Sequence, residues 1–147
     1  MVTKNPFLTS EEARQTLDRL FQNKERGLKD NLNLIFGAGI SFPEQRPQNQ
    51  EDLLESHNAF MRSTFPELLE KLKTHFESIL KTPCFYSDEL SYPGFHIFPI
   101  APMAVRPLWF HFDDARPVLE KEFPHLGVTG QSRQLSFTVL LDHPAGL

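Results

Sequence analysis

The chain has very little cysteine, and Cys84 is the single one among its 147 residues. One thiol cannot form an internal disulfide, so a small secreted domain held together by disulfides is excluded. The sequence has no basic start followed by an apolar stretch, and no apolar run approaches the ~20 residues that a membrane span needs. We therefore expect a cytoplasmic protein without a membrane segment.

Clustered positive charge is also missing. The chain has 15 Lys and Arg residues against 19 Asp and Glu residues, a formal net charge of −4. No run of basic residues is available to neutralise a phosphate backbone, which disfavours nucleic-acid binding driven by counterion release. The same lack disfavours binding to an anionic membrane. The expected partner is therefore neither a nucleic acid nor a membrane.

Aromatic side chains are plentiful but mostly of one kind, with 14 Phe against 2 Tyr and 1 Trp. Because phenylalanine has no polar atom that needs a partner, these rings are suited to burial. A chain of this length is sufficient for one domain with its own core. The composition therefore indicates a folded globular domain.

The first part of the chain, residues 1–83, has a helical pattern. Thr9 followed by Glu12, and Thr64 followed by Glu67, have the spacing of capping boxes. Apolar residues repeat at helical spacing in three stretches. These predict helices at 10–26, 51–62 and 65–81. The apolar stripe of the third helix is assigned to the core, and its members are Leu68, Leu69, Leu72, Phe76, Ile79 and Leu80.

After Pro83 the pattern changes to short β-branched and aromatic runs that Pro, Gly and Asp separate. The expected strands are residues 84–87, 94–100, 107–112 and 134–141, with a helical turn at 117–122 and a short strand or buried turn at 31–36. Strands after a block of helices indicate an α+β domain, and we expect N-terminal helices packed on a partial double-stranded β-helix, or jelly-roll, sheet. Residues 84–147 would form the N-terminal half of the jelly-roll core in a single domain.

Four or five strands cannot close such a barrel. Either further chain is missing, or a partner covers the exposed sheet edge. In the second case the edge predicts association into a homo-oligomer.

The segment from Leu108 to Asp114 carries the sharpest chemical signal, with the sequence Leu-Trp-Phe-His-Phe-Asp-Asp. Residues two apart on a strand point to the same face, so His111 and Asp113 would project together. An imidazole and a carboxylate on one face can bind one divalent metal, and a distant histidine would complete a 2-His-1-carboxylate triad for Fe(II). Such tripeptides also arise by chance, and a core histidine before a turn is the simpler interpretation.

Three segments follow one another in a suggestive order. They are Tyr-Pro-Gly-Phe-His-Ile-Phe at 92–98, His-Phe-Asp at 111–113, and Leu-Ser-Phe-Thr-Val-Leu-Leu at 135–141 with a Pro-Ala-Gly turn after it. This order resembles the core of the Fe(II)/2-oxoglutarate-dependent dioxygenases, in particular the prolyl-hydroxylase-like branch. The resemblance covers residues 84–147.

By this resemblance His111 and Asp113 match the first two iron ligands, and the implied cofactors are Fe(II) and the co-substrate 2-oxoglutarate. The family's third ligand, a histidine, and the Arg or Lys that binds the 2-oxoglutarate carboxylate match nothing in this sequence. The chain therefore resembles a C-terminally truncated member of the family. His96 and His143 are weaker candidates for the third ligand, since a packed histidine and a surface-turn histidine are the simpler interpretations.

Two further residues are candidates for cofactor binding. Tyr92 is a candidate for a hydrogen bond to the co-substrate, with a structural tyrosine as the simpler interpretation. Arg106 is a candidate for a contact with a substrate carboxylate, and a solvated Arg-Pro turn is the alternative. Cys84 is interpreted as a small buried residue. The remaining histidines are assigned to helix surfaces or loops: His57, His75 and His125.

Three functions are compatible with these segments and candidate residues. The first is an oxidoreductase, an Fe(II)/2-oxoglutarate dioxygenase that hydroxylates a small molecule or an amino-acid-type side chain. Because the second ligand is Asp113 and not a small residue, the resemblance favours hydroxylation over halogenation. The second is a non-catalytic, oligomerising interaction protein derived from the same fold. The third is a cupin-type metal enzyme that uses His96, His111 and another histidine.

Overall fold

The computed structural model describes residues 7–30, 33–37, 50–97 and 115–134, together with the single residues 137, 139 and 141. Four α-helices are present in these ranges: α1 (Ser10–Gln22), α2 (Gln50–Thr64), α3 (Pro66–Leu80) and α4 (Arg116–Glu122). The same ranges contain three short strands and two 3₁₀ turns: β1 (Leu28–Asp30), β2 (Asn33–Phe36), β3 (Phe95–Ile97), Lys24–Arg26 and Pro124–Leu126. The described part of the chain is therefore mainly helical.

The expected α+β fold with a jelly-roll sheet is wrong for the described residues. Their strands form one antiparallel sheet in the order β1-β2-β3, and each strand has only three or four residues. Of the strands expected after Pro83, only 94–100 contains an observed one. Residues 84–87 are irregular, and the described residues of 134–141 lie outside any strand. The expected strand 107–112 lies outside the described residues.

Within 84–87, Tyr86 and Cys84 contact helix α3 and belong to no described strand, whereas Phe85 is 84% exposed. The Tyr86 ring lies 4.9 Å from the Tyr92 ring, and the Tyr86 hydroxyl donates to the Leu69 carbonyl of α3 at 2.8 Å. The Cys84 N–H donates to the Glu77 carboxylate at 3.0 Å. The strand preference of aromatic residues reflects packing on a half-buried surface, and a helix face offers such a surface too.

The helices agree with the expected ones, but only one of the two expected capping boxes is present. At α1, the Thr9 N–H donates to Glu12 Oε2 at 2.7 Å and the Glu12 N–H donates to Thr9 Oγ1 at 3.2 Å. The box at Thr64 and Glu67 is wrong, because Thr64 is the last residue of α2. The residue before α3 is Phe65, which has no side-chain cap.

Two ion pairs fasten α1 to α3. The Lys71 ammonium donates to the two Glu12 carboxylate oxygens at 2.7 and 2.8 Å. The Arg19 guanidinium donates to the Thr64 carbonyl at 2.9 Å and to Glu67 at 3.2 Å. Glu12 therefore serves both as a capping residue of α1 and as the partner of Lys71.

Acid should weaken the contact between α1 and α3. The hydrogen bond from Lys71, with those from Thr9, lowers the pKa of Glu12 from 4.5 to about 2. Because the folded-state pKa lies below that of the unfolded chain, the stability that Glu12 contributes is complete above the unfolded-state value. It is lost as the pH falls through the folded-state pKa. We expect Glu12→Gln to lose less stability than the wild type between pH 5 and pH 2, measured from urea midpoints followed by circular dichroism.

A matched control for this experiment is Glu11→Gln. Glu11 is also in the first turn of α1, but its carboxylate pairs with Arg14 of the same helix. This variant should keep the wild-type dependence on pH. The same dependence in Glu12→Gln as in the wild type would contradict the role given to the Lys71 contact.

The main core cluster lies where α1, α2 and α3 meet the sheet. Phe65, between α2 and α3, is 1% exposed, and its ring centroid is 5.7 Å from that of Phe60 and 5.0 Å from that of Phe95. Phe36 of β2 stacks on Phe60 at 5.8 Å. The buried members of the cluster are Leu20, Phe36, Phe60, Met61, Phe65, Leu69 and Tyr92. Part of the high phenylalanine content is thus explained by burial.

The apolar stripe of α3 lies only partly in the core. Leu69 and Leu72 are buried, whereas Ile79 is 56% exposed and Leu80 49% exposed. The expectation that the whole stripe belongs to the core is therefore wrong for the last turn of the helix. There the stripe borders a surface groove.

Candidate functional site

The two expected iron ligands, His111 and Asp113, lie outside the described residues, as do Arg106 and His143. His96 is in β3, which pairs with β2. Within the ranges that the structure describes, no three His, Cys, Asp or Glu side chains are grouped so that they could hold a metal ion. The expected site for Fe(II) and 2-oxoglutarate therefore stays a prediction from the sequence.

Tyr92 is the one expected site residue whose side chain is described, and it is 8% exposed in the main core cluster. Its hydroxyl donates to Asp88 Oδ1 at 2.8 Å and accepts from Arg62 Nη1 at 3.3 Å. Arg62 also pairs with the Asp88 carboxylate, and its guanidinium carbon lies 5.4 Å from the centroid of the Tyr92 ring. The hydroxyl thus has two protein partners, and its expected contact with a co-substrate stays a prediction.

The backbone of Tyr92 is held by two side chains of α2. The Tyr92 N–H donates to Asn58 Oδ1 at 2.9 Å, and Asn58 Nδ2 donates to the Leu90 carbonyl at 3.0 Å. His57 Nε2 lies 3.0 Å from the Tyr92 carbonyl oxygen, a hydrogen bond in the tautomer that carries the proton on this nitrogen. The resulting group is termed the α2 clamp, and its members are His57, Asn58, Arg62, Asp88 and Tyr92.

The electrostatics of the α2 clamp keep its tyrosine protonated at neutral pH. Burial raises the pKa of Tyr92, the hydrogen bond to Asp88 raises it further, and the hydrogen bond from Arg62 acts in the opposite direction. Burial also raises the pKa of the neighbouring Tyr86 to about 12, with a further contribution from the Glu70 carboxylate. The hydrogen bond to Tyr92 raises the pKa of Arg62, and Asp88 adds to the effect. The pair is therefore a neutral phenol and a guanidinium cation.

The chemical role that this arrangement supports is positioning. Every buried side-chain nitrogen or oxygen in the described ranges has a hydrogen-bond partner, so the buried polar atoms of the α2 clamp are satisfied within the protein. The clamp holds the turn at 88–92 on α2, and only Pro93 and Gly94 separate that turn from β3. It therefore sets the direction in which the chain enters the sheet.

The sequence interpretation missed His57 and Asn58, and the assignment of His57 to a surface or loop is wrong. The two side chains are 8% and 1% exposed. Their spacing does indicate burial. Positions 54, 57, 58, 61 and 65 repeat at helical spacing, and the residues at 54, 61 and 65 are apolar. Polar residues within such a stripe need buried partners. The partners themselves lie 32 to 35 residues further along the chain, at a distance that no local pattern reveals.

Comparisons with protein-family models, with curated proteins and with solved structures found no match. Membership of the Fe(II)/2-oxoglutarate dioxygenases therefore stays a prediction from the three sequence segments. In the described ranges, no helix is long and apolar enough to cross a membrane.

Proposed function

We propose that this chain is an Fe(II)/2-oxoglutarate-dependent oxygenase or part of one, with His111 and Asp113 as two of the iron ligands. The observation that carries the proposal is the His-Phe-Asp tripeptide, placed between the Tyr-Pro-Gly segment and the Leu-Ser segment. Iron held by such ligands would keep positions open for a chelating co-substrate and O₂. The three segments support this function without a jelly-roll sheet in the described residues.

The residues of this chain would have distinct tasks in that function. His111 would supply an imidazole nitrogen and Asp113 a carboxylate oxygen to the metal. The third ligand would be His96, His143 or a residue of a second subunit. An aspartate at position 113 leaves no ligand position for a halide, which favours hydroxylation of a small molecule or an amino-acid-type side chain in the cytoplasm.

The α2 clamp supports this proposal by anchoring the first of the three segments. The backbone N–H and carbonyl of Tyr92 are held by Asn58 and His57, and β3 begins at Phe95. A metal site requires ligands on backbone that is held in place, because small displacements weaken coordination. The clamp gives the chain such an anchor before it continues toward residue 111.

The direct test is the iron content of the protein after anaerobic loading with Fe(II) and removal of loosely bound metal. The wild type should retain about one Fe(II) per chain, and His111→Ala and Asp113→Ala should each lose most of it, because each removes one of only three protein ligands. His125→Ala is the matched control. His125 is an exposed histidine that pairs with Glu89, so this variant should retain iron as the wild type does.

The remaining ligand can be identified in the same assay. His96→Ala and His143→Ala are compared, and the variant that loses iron marks the third ligand. Iron that is retained by both variants but only in a dimeric fraction places that ligand on a second subunit. Absence of iron from the wild type would contradict the proposal and favour the non-catalytic interaction protein. Equal iron in His111→Ala would contradict it by placing the metal at other residues.

A further inference from the structure

A groove of about 250 Å³ opens where the last turns of α3 meet the irregular chain at 84–86. It is termed the α3 groove. Leu80 and Phe76 of α3 form one side, Tyr86 and Cys84 form another, and Phe137 comes from the far end of the described chain. The groove borders the α2 clamp at Tyr86, whose ring lies 4.9 Å from the Tyr92 ring, and it uses none of the residues assigned to iron.

Four of the eight described residues that line the α3 groove are aromatic. The Phe76 and Phe137 ring centroids lie 4.8 Å apart, and Phe137 remains 45% exposed. Phe85, which also lines the groove, is 84% exposed. Because the Tyr86 hydroxyl donates to the Leu69 carbonyl, a ligand in the groove would contact the Tyr86 ring and not its hydroxyl. Ring faces and edges of this kind favour contact with another flat ring.

One positively charged side chain lies beside these rings. Lys73 is the only Lys or Arg among the described lining residues. Its ammonium lies 3.9 Å from Glu70, whereas the ammonium of Lys71 lies 2.7 Å from Glu12. The longer distance is beyond a hydrogen bond, so Lys73 retains donors for an anion. Its aliphatic stem can cover apolar surface while the charged end stays at the rim.

We propose that the α3 groove binds a small aromatic carboxylic acid, with its ring against Phe76 and Phe137 and its carboxylate on Lys73. The volume lies below the roughly 300–1,000 Å³ of pockets for drug-sized ligands, so a molecule of one or two rings is the fitting size. A second copy of the chain fits less well. In a twofold dimer the same surface meets itself, and no Asp or Glu among the described lining residues would pair with the Lys73 of the other copy.

Cys84 provides a direct readout of occupancy. It is the only cysteine in the chain, it lines the α3 groove, and it is partly exposed and not buried as the sequence suggested. Its rate of alkylation by iodoacetamide is followed by intact mass, with 2-naphthoate, neutral 2-naphthamide or the cationic amine 2-naphthylmethylamine as the added probe. Each variant is compared with its own rate in the absence of a probe.

We expect 2-naphthoate to slow the alkylation of Cys84 in a saturable way. The amide should need about fivefold more probe for the same protection, as expected for one solvent-exposed charge pair. The amine should protect least. Lys73→Gln should reduce protection by naphthoate to the level of the amide and leave the amide unchanged. Phe137→Ala should weaken protection by both probes.

The control is Lys121→Gln, which removes an exposed lysine of α4 that does not line the groove. It should leave protection by naphthoate unchanged. No saturable protection would overturn the proposal, and so would equal protection by acid, amide and amine that Lys73→Gln does not alter. Protection that rises with protein concentration alone would also overturn it and assign the groove to self-association. None of these outcomes depends on bound iron, so this proposal and the proposed function fail separately.

Discussion

Asn58→Ala should lower the free energy of unfolding by about 3 kcal/mol, because it leaves the buried Tyr92 N–H and the part-buried Leu90 carbonyl without partners. Asn58 is 1% exposed, accepts from the Tyr92 N–H at 2.9 Å and donates to the Leu90 carbonyl at 3.0 Å. Alanine can replace neither contact, and the Tyr92 N–H is buried away from water. Urea denaturation followed by circular dichroism measures the loss.

Two further variants separate the hydrogen bonds of Asn58 from the effect of changing α2. Ser63→Ala removes a hydroxyl that donates to the Phe60 carbonyl within the same helix, and should stay within about 0.5 kcal/mol of the wild type. Asn58→Asp keeps an acceptor for the Tyr92 N–H but sets a carboxylate against the Leu90 and Asp88 carbonyls in a buried site, so it should be at least as destabilising as Asn58→Ala. If Asn58→Ala were as stable as Ser63→Ala, the α2 clamp would not hold the turn at 88–92.

Gly94→Ala should cost about 3 kcal/mol, the upper range for a group forced into a filled space. A Cβ on Gly94 would overlap the carbonyl oxygen of Phe36 and lie 3.2 Å from the Cα of Gly37. Both are backbone atoms of β2 and its end, so neither can turn away as a flexible side chain would. The change should therefore separate β3 from β2, measured by urea denaturation and by faster amide exchange in Phe95–Ile97.

Gly130→Ala is the matched control for that variant. A Cβ at Gly130 meets nothing within 4 Å, and its backbone is not in the left-handed region. Its stability should remain within about 0.5 kcal/mol of the wild type. Equal stability of the Gly94 and Gly130 variants would show that the close approach of Gly94 to Phe36 is not needed for the sheet.

The helices could be predicted because their signals are local. The capping box of Thr9 and Glu12 lies within one turn of chain, and the apolar period of α3 repeats every three or four residues. Strands were predicted less well, since a short aromatic run becomes a strand only where another strand pairs with it. At 84–87, Tyr86 contacts a helix instead, and Phe85 is exposed. Within 94–100, β3 pairs with β2, and the sequence also indicated a short strand or buried turn at 31–36, where β2 lies.

The candidate site was predictable to a smaller extent. Tyr92 stood out as a residue with a role, but its partners Asn58 and Arg62 belong to a helix 30 or more residues earlier in the chain. The α3 groove arises because the stripe of α3 continues past the core, and the sequence does not show where the core ends. His111 and Asp113 are recognised only by their spacing and their neighbours in the sequence.

The most direct test of the proposed iron site is a visible difference spectrum of the anaerobic protein with Fe(II), before and after addition of 2-oxoglutarate. Chelation of the co-substrate by a facial-triad iron gives a weak charge-transfer absorption. We expect this band in the wild type and in His125→Ala, and its loss in His111→Ala. Absence of the band from the wild type, or its persistence in His111→Ala, would contradict an oxygenase site at His111 and Asp113.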